Sequence, residues 1–273
     1  MNNFASNLIK ILEMVTVTLT TDYGTDSHHV AQVKGALISE LSASVNITDI
    51  SNKINAFDIN DAAFIIRNSY TFFPKETFHL VGVNNQTSHS IKQILAVSEG
   101  QYFLGADIGV LPLIFENRSF AKYYDLGKDW ESFGFITRDF YPKVISALVN
   151  SNFDPVLAGY TELENPLIRL SEKPVVNDNF LKASVVFIDS FGNAYINCSK
   201  EYFENFIGES NFRIRVIRNE FKGYINTDYT DVDDGEAVFM FKSPDYMQIA
   251  INRGRADQLL GLKKMTPVII EKL

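Results

Sequence analysis

Val15-Thr-Val-Thr-Leu19 alternates apolar and hydroxyl side chains, the period-two pattern of a strand. It runs into Thr21-Asp22-Tyr23-Gly24-Thr25-Asp26-Ser27, a loop of turn formers and carboxylates. A helix follows, with Val30, Val33, Ala36, Leu37 and Leu41 on one face. Val45–Ile50 reads as a second strand, Asp58 or Asn60 as the cap of a helix through Ala62–Asn68, and Phe78–Val83 as a third strand after the break at Pro74. The order β-loop-α-β-α-β predicts a mostly parallel α/β sheet. Further strands are expected at Ile94–Val97, Tyr102–Leu104 and Val110–Phe115, and a helix over about Asp139–Val149 with Pro142 in its first turn.

The pattern then changes. Residues 150–180 are polar, hold Pro155, Pro166 and Pro174, and carry little periodicity. Beyond them Ser184–Ile188, Ala194–Cys198, Phe212–Ile217, Glu236–Phe241, Met247–Ile251 and Val268–Ile270 are short strands separated by turn signals such as Phe191-Gly192-Asn193 and Asp233-Asp234-Gly235. That spacing belongs to a small barrel or sandwich. The expected fold is an α/β N-terminal domain with a mostly parallel sheet, residues 1–160, a linker over 161–180, and an all-β, barrel-like C-terminal domain over 181–273. Residues 1–13 read as an extension, since Met14 stands just before the first strand and offers a second start.

Composition narrows the function. At 46% hydrophobic and 21% charged, the 273 residues fill an ordinary globular core, and the 22 Phe and 12 Tyr exceed what a core needs. The surplus can line a pocket or a subunit interface. A net charge of −8 argues against nucleic acid, because phosphate binding needs clustered Lys and Arg. No apolar run has the length of a membrane span, and no signal peptide is evident. The single Cys198 forms no intrachain disulfide, which fits a cytoplasmic protein. Neither a metal nor a cofactor is expected: no Cys/His cluster has ligand spacing, His79 sits in a strand pattern as a satisfied core histidine, and the adjacent His28 and His29 point apart.

Four residues carry candidate chemistry. Asp22 follows a strand directly, where ligands of parallel sheets bind, and a carboxylate there accepts both hydroxyls of a ribose diol; the alternative is a cap on the next helix. Phe57 in a polar loop stacks on a base or ribose, or else staples the following helix. In Ile188-Asp189-Ser-Phe-Gly-Asn193, the Asn193 amide matches an adenine edge and Asp189 an ammonium group, or the segment is a plain hairpin turn.

Taken together the segments resemble one family, the adenosine-forming S-adenosylmethionine hydrolases and the related fluorinases and chlorinases. The resemblance rests on Thr20-Thr-Asp22-Tyr-Gly24-Thr25 through Gly35, Asp49 through Asp58, Phe72-Phe-Pro74-Lys-Glu76-Thr77 with Glu76 where Gly is usual, and Gly105-Ala-Asp107-Ile-Gly109. It continues through Phe135-Ile-Thr137-Arg138-Asp139, Ile188 through Asn197, and Ser243 with Met247 through Asn252, spanning residues 15–270 in order. It implies that Asp22 holds the ribose diol, that Phe57 packs on the ligand, that Asn193 reads adenine with Tyr229 stacked on it, and that Asp189 and Ser243 hold the methionine end. It also implies a homotrimer, with S-adenosylmethionine between the N domain of one subunit and the C domain of the next.

The departures are specific. The family's hydrolases activate water with an Asp, an Arg and a His; here those positions hold Asn84, a residue near Ile91, and Ile136. Asn is no base at neutral pH, and an Ile side chain makes no hydrogen bond. Ser27 stands where a ligand-contacting Asp is usual. Hydrolysis then rests on desolvation and in-line positioning, with the Thr137 hydroxyl, Asn84, and His89 or Lys92 as candidates to serve the water. A Ser holds a halide at the Thr137 position in the halogenases, so halide use stays open, as does a binding module without turnover.

Overall fold

The computed structural model describes residues 14–41, 45–85, 91–116, 120–243 and 246–273. The chain divides into two compact units, the first ending at Ser171 and the second beginning at Glu172.

The first unit opens β1 (Val15–Thr21), α1 (His28–Glu40), β2 (Val45–Ser51), α2 (Ile59–Arg67), β3 (Phe78–Gly82). It continues β4 (Gln93–Ser98), β5 (Gln101–Ala106), α3 (Val110–Phe115), β6 (Lys122–Asp125), α4 (Ile136–Asp139), α5 (Tyr141–Asn150) and β7 (Thr161–Glu162). The sheet order is β2-β1-β3-β5-β4-β6-β7. The first four strands in that order run parallel, and the pairings among β5, β4, β6 and β7 are antiparallel. Because β2 lies on one side of β1 and β3 on the other, the chain reverses direction across the sheet at β1. The crevice beyond the carboxyl ends of β1 and β3 is therefore the switch point where such sheets bind ligands.

Both faces of this sheet are covered, and strand alternation sorts the side chains between them. Phe78, Leu80, Leu95, Tyr102 and Leu104 pack with Val33 and Leu37 of α1 and Ile145 and Leu148 of α5. Val81, Ile94, Ala96 and Phe103 point the other way, onto Ala62 and Ile66 of α2 and Leu111 and Ile114 of α3. Asp58 caps α2 by accepting from the backbone N–H groups of Asn60 and Asp61, which satisfies two donors a bare helix end leaves orphaned.

Val110–Phe115 is a helix, not the strand its apolar run suggests. A short run buried all round carries no period to separate the two. Gly109 starts it in the left-handed region at φ 93°, and a Cβ there would lie 2.5 Å from Arg169 Cγ, so only glycine fits. Arg67, buried on α2, donates to the carbonyl oxygens of Leu113 and Ile114 and closes the helix's C-terminal end. Beyond β7 an extended strap lies along the same unit: Asp107 accepts from Leu167 N–H at 2.8 Å, and Glu116 accepts from Ser171 N–H at 3.1 Å. Glu76, where the family favours Gly, sits at φ 64°, and its N–H donates to Gly100 O at 2.7 Å. The left-handed turn is thus kept with a side chain that costs about 1–2 kcal/mol there.

The second unit is antiparallel throughout. Its strands are β8 (Val175–Val176), β9 (Phe180–Ile188), β10 (Ala194–Ile196), β11 (Phe212–Val216), β12 (Asn219–Lys222), β13 (Ala237–Ser243), β14 (Tyr246–Ile251) and β15 (Pro267–Lys272). They follow the order β12-β11-β15-β9-β10-β14-β13, with β8 on β9, and form an open half-barrel. β9 begins four residues before its predicted start because Phe180–Ala183 pair with β15. The helix α6 (Lys200–Ile207), capped by Ser199, and the short α7 (Ala256–Leu259) were not evident from the pattern. The core gathers Leu181, Val185, Ile196, Phe239, Ile249 and Ile270 under Phe203 and Phe206 of α6.

His79 is the core histidine its strand pattern predicts. Its Nδ1 meets Thr18 Oγ1 at 2.7 Å, its Nε2 meets Gln101 Oε1 at 2.9 Å, and its ring stacks on Phe103. Burial drives its pKa from 6.5 down to about 4, with the Gln101 hydrogen bond opposing. The unfolded chain therefore binds a proton that the folded chain refuses between pH 6.5 and about 4. Stability from this site is full above pH 6.5 and is lost as pH falls toward 4, by about 3 kcal/mol at the 1.36 kcal/mol carried by each pH unit. Urea unfolding from pH 7 to 4 is expected to show this acid loss, and His79→Gln to flatten that part of the profile.

Candidate functional site

Asp22 leaves the end of β1 and caps no helix. Its Oδ2 accepts two backbone hydrogen bonds, from Phe57 N–H at 3.0 Å and Asn84 N–H at 3.1 Å. Those donors come from the loops after β2 and β3, so one carboxylate oxygen ties three strand ends together at the switch point. Both donor residues are non-glycine and left-handed, Phe57 at φ 67° and Asn84 at φ 50°. Strain of this kind collects where a site needs a set geometry. Oδ1 of Asp22 makes no hydrogen bond among the described residues, which leaves its acceptor positions open.

Phe57 is 59% exposed and staples nothing. Its backbone N–H, not its ring, is what the structure places on Asp22. Ser27 is the N-cap residue of α1, yet its hydroxyl donates to Tyr23 O at 2.8 Å and caps no N–H. His28 and His29 do not point apart: their ring centroids lie 4.3 Å from each other, because side chains at the first helical turn lean back toward the terminus. They line an open cleft with Tyr23, Gln32, Phe135 and Arg138.

Behind the strand ends lies a hydrogen-bonded chain that sequence reasoning missed apart from Thr137. Tyr23 Oη and Thr137 Oγ1 are 2.7 Å apart. Asn85 Nδ2 donates to Thr137 Oγ1 at 3.2 Å and to Tyr141 Oη at 3.0 Å, and Tyr141 donates to Gln93 Oε1 at 2.6 Å. Thr137 and Gln93 are fully buried. Burial holds the Tyr23 and Tyr141 phenols far above their ordinary pKa, so both stay neutral. Ile136, at the family's His position, is buried in the apolar cluster. Lys92 is no base: its ammonium pairs with Asp125 at 2.7 Å, which raises its pKa. His89 lies outside the described residues.

A second cluster belongs to the second unit. Asp189 Oδ1 accepts from the N–H groups of Phe191 and Asn193, each at 2.9 Å. Its Oδ2 accepts from Asn193 Nδ2 at 3.0 Å and Tyr195 Oη at 3.3 Å. Gln248 donates to Tyr195 Oη at 3.0 Å and accepts from Tyr229 Oη at 3.2 Å. Asn193 and Tyr229 are thus joined through Asp189, Tyr195 and Gln248, and the last two carried no signal beyond being polar residues in strand patterns. Asp189 is committed to building the turn and fixing the Asn193 amide. Ser243 ends β13 opposite Tyr246. Among the described residues no group of His, Cys, Asp and Glu is arranged for a metal, and no helix is long and apolar enough to cross a membrane.

A largely parallel sheet with a carboxylate at its switch point, followed by an antiparallel half-barrel with an Asp–Asn turn, defines a two-domain α/β-plus-β class. Residues 17–155 match the N-terminal domain model of the SAM hydroxide adenosyltransferases and residues 183–269 match the C-terminal one. The chain belongs to the SAM hydroxide adenosyltransferase family. It is 24% identical over 270 residues to an (R)-S-adenosyl-L-methionine hydrolase of Methanocaldococcus jannaschii, covering 93% of this chain and 95% of that one. A protein of the same description from Thermus thermophilus is 23% identical over 267 residues, covering 93% and 99%. The crystal structure of an uncharacterised conserved protein from Thermotoga maritima superposes with a TM-score of 0.81 at 27% identity, over 94% of this chain and 99% of that one.

Gly82 lets the Tyr23 ring lie over the end of β3: a Cβ there would sit 2.7 Å from Tyr23 Oη. Gly82→Ala is expected to push the phenol off Thr137 while leaving the sheet intact. The check is tyrosine fluorescence together with the melting temperature, with a changed Tyr23 environment and a loss of about 1–3 kcal/mol, the scale of overpacking.

Proposed function

We propose that the chain hydrolyses S-adenosylmethionine: water attacks C5′, the C5′–S bond breaks with its electron pair passing to sulfur, and adenosine, methionine and a proton are released. The observation that carries this reading is the Asp22 carboxylate at the switch point, one oxygen held by the backbone N–H groups of two left-handed residues and the other unengaged among the described residues, with Phe57 exposed on the next loop. A ribose 2′,3′-diol is the ligand group that fits such an acceptor next to an aromatic face. In the same reading Ser27 borders the methionine end, Tyr229 stacks on adenine, and the Asn193 amide, turned by Asp189, meets the adenine edge. Ser243 faces the amino-acid end, with Asp189 spent on fixing Asn193, and Asn84 and Thr137 border the end of the site that the attacking water enters.

The assembly is a homotrimer in this proposal, with the first-unit cluster of one copy completed by the second-unit cluster of another. The support is the family membership and the surplus of aromatic residues. Sedimentation equilibrium is expected to give three times the chain mass, and a monomer at micromolar concentration would refute it.

One observation favours a second reading, a module that binds S-adenosylmethionine without turnover: the family's Asp and His positions hold Asn84 and buried Ile136. Incubation with S-adenosylmethionine at neutral pH separates the two. Adenosine and methionine in equal amounts are expected, and bound ligand with no adenosine above background would leave only the binding module. Asp22→Ala is expected to weaken binding by about 1.5–3 kcal/mol, the worth of a hydrogen bond to a charged group; equal affinities by calorimetry would remove Asp22 from the site.

A further inference from the structure

Asn85 stands at the switch-point end of a hydrogen-bonded chain that is left open at both ends, at its own Oδ1 and at Gln93 Nε2. Both its amide N–H groups are engaged, with Thr137 Oγ1 and Tyr141 Oη. Its Oδ1 is buried and has no partner among the described residues. An unsatisfied buried acceptor costs about 1–3 kcal/mol, and native structures rarely keep one without a use. The simplest use is a water or ligand atom that supplies the missing donor.

The surroundings sharpen that acceptor. Tyr141 accepts from Asn85 and donates to Gln93 Oε1, so the hydrogen bonds run in one direction, from Asn85 toward Gln93. Chains of this kind polarise one another. An amide that donates through both N–H bonds carries more negative charge on its oxygen. Asn85 also follows Asn84, whose N–H reaches Asp22, so the acceptor stands one residue from the carboxylate at the switch point.

Resting on the hydrolase reading, we propose that Asn85 is the catalytic residue that holds the attacking water, through Oδ1. An amide oxygen takes no proton at neutral pH. Asn85 therefore orients the water by accepting one hydrogen bond, leaves an oxygen lone pair free to form the O–C5′ bond, and the proton of the resulting oxonium passes to solvent. The C5′–S electron pair departs on sulfur as a neutral thioether, so atoms and charge balance without a base. Thr137 and Tyr141 position the amide, and Tyr23 positions Thr137.

The test is single-turnover adenosine release from S-adenosylmethionine by the full chain, with calorimetric affinity alongside. Asn85→Ala is expected to slow release by about 10²-fold, the lower range for a group that serves the reacting proton donor, while the dissociation constant moves less than about threefold. Asn85→Asp keeps the shape and guards against a folding defect. Against it lie the Thr137 hydroxyl and the neutral phenol of Tyr141, with the neutral Tyr23 phenol beyond Thr137 and the Asp22 carboxylate on the N–H of the preceding residue, so its own carboxylate supplies the new titration. Release by this variant is expected to fall on the acid side of that pKa, an acid limb absent from the wild type. Wild-type release with Asn85→Ala within threefold of it, or with Asn85→Asp showing the wild-type pH profile, overturns the assignment of Asn85 and leaves the hydrolase reading intact. Wild-type binding with no adenosine instead overturns the hydrolase reading. A 5′-chlorinated nucleoside formed in chloride buffer overturns the assignment, because a halide needs hydrogen-bond donors and the open atom of Asn85 is an acceptor.

Discussion

One carboxylate oxygen organises the strand-end edge of the first unit's sheet. Asp22 Oδ2 takes the N–H of Phe57 and the N–H of Asn84, and neither donor residue would hold its backbone unaided. A left-handed non-glycine residue costs about 1–2 kcal/mol. A hydrogen bond to an ionised acceptor returns about 1.5–3 kcal/mol. The two sums are of similar size, so the conformation is stable while the carboxylate is present and marginal without it. The exposure of Phe57, the position of Asn84, and hence the setting of Asn85 all follow from that balance. Asp22 is consequently the frame that places its neighbours, whichever ligand its second oxygen meets.

Much of this architecture is legible in the sequence because period-two alternation survives burial. Val15–Leu19 and Phe78–Val83 show their strands directly, and the turn formers after each mark where the edge lies. Asp22, Phe57, Asp189 and Asn193 are visible for the same reason: polar or aromatic residues in loops stand out against strand patterns. Val110–Phe115 defeats the pattern because a helix buried on every side has no polar face. Tyr23, Tyr141, Gln93, Tyr195 and Gln248 escape for another reason. Their side chains meet across long sequence separations, and a Tyr or Gln within an element looks like core or surface until its partner is known. Glu76 at φ 64° shows the limit of residue type as evidence, since the turn persists where glycine is replaced.

The two polar clusters solve different problems. In the second unit every acceptor of Asp189 is occupied by its own turn, by Asn193 and by Tyr195, and Gln248 has both ends of its amide engaged. A satisfied network of this kind is rigid and fixes which way the Asn193 amide faces, a property suited to reading a base edge. In the first unit the chain through Asn85 ends unsatisfied at Asn85 Oδ1 and at Gln93 Nε2. On the proposed function, the closed cluster suits recognition and the open chain suits the chemistry.

On the proposed function, the neutrality of the chain from Tyr23 through Thr137, Asn85 and Tyr141 to Gln93 suits a sulfonium substrate. The positive charge on sulfur fades as the C5′–S bond breaks. A carboxylate beside it would bind the charged ground state more strongly than the transition state, and interactions of that sign do not accelerate a reaction. The leaving group departs as a neutral thioether and needs no acid. What remains is to bring one water in line and to strip the site of competing solvent, worth several kcal/mol when done by a fixed framework. Asn84 in place of Asp, and Ile136 in place of His, exchange ionisable groups for an amide and a hydrocarbon. Such a site trades proton transfer for orientation, and a buried amide locked by two hydroxyls is a side chain equipped for that role.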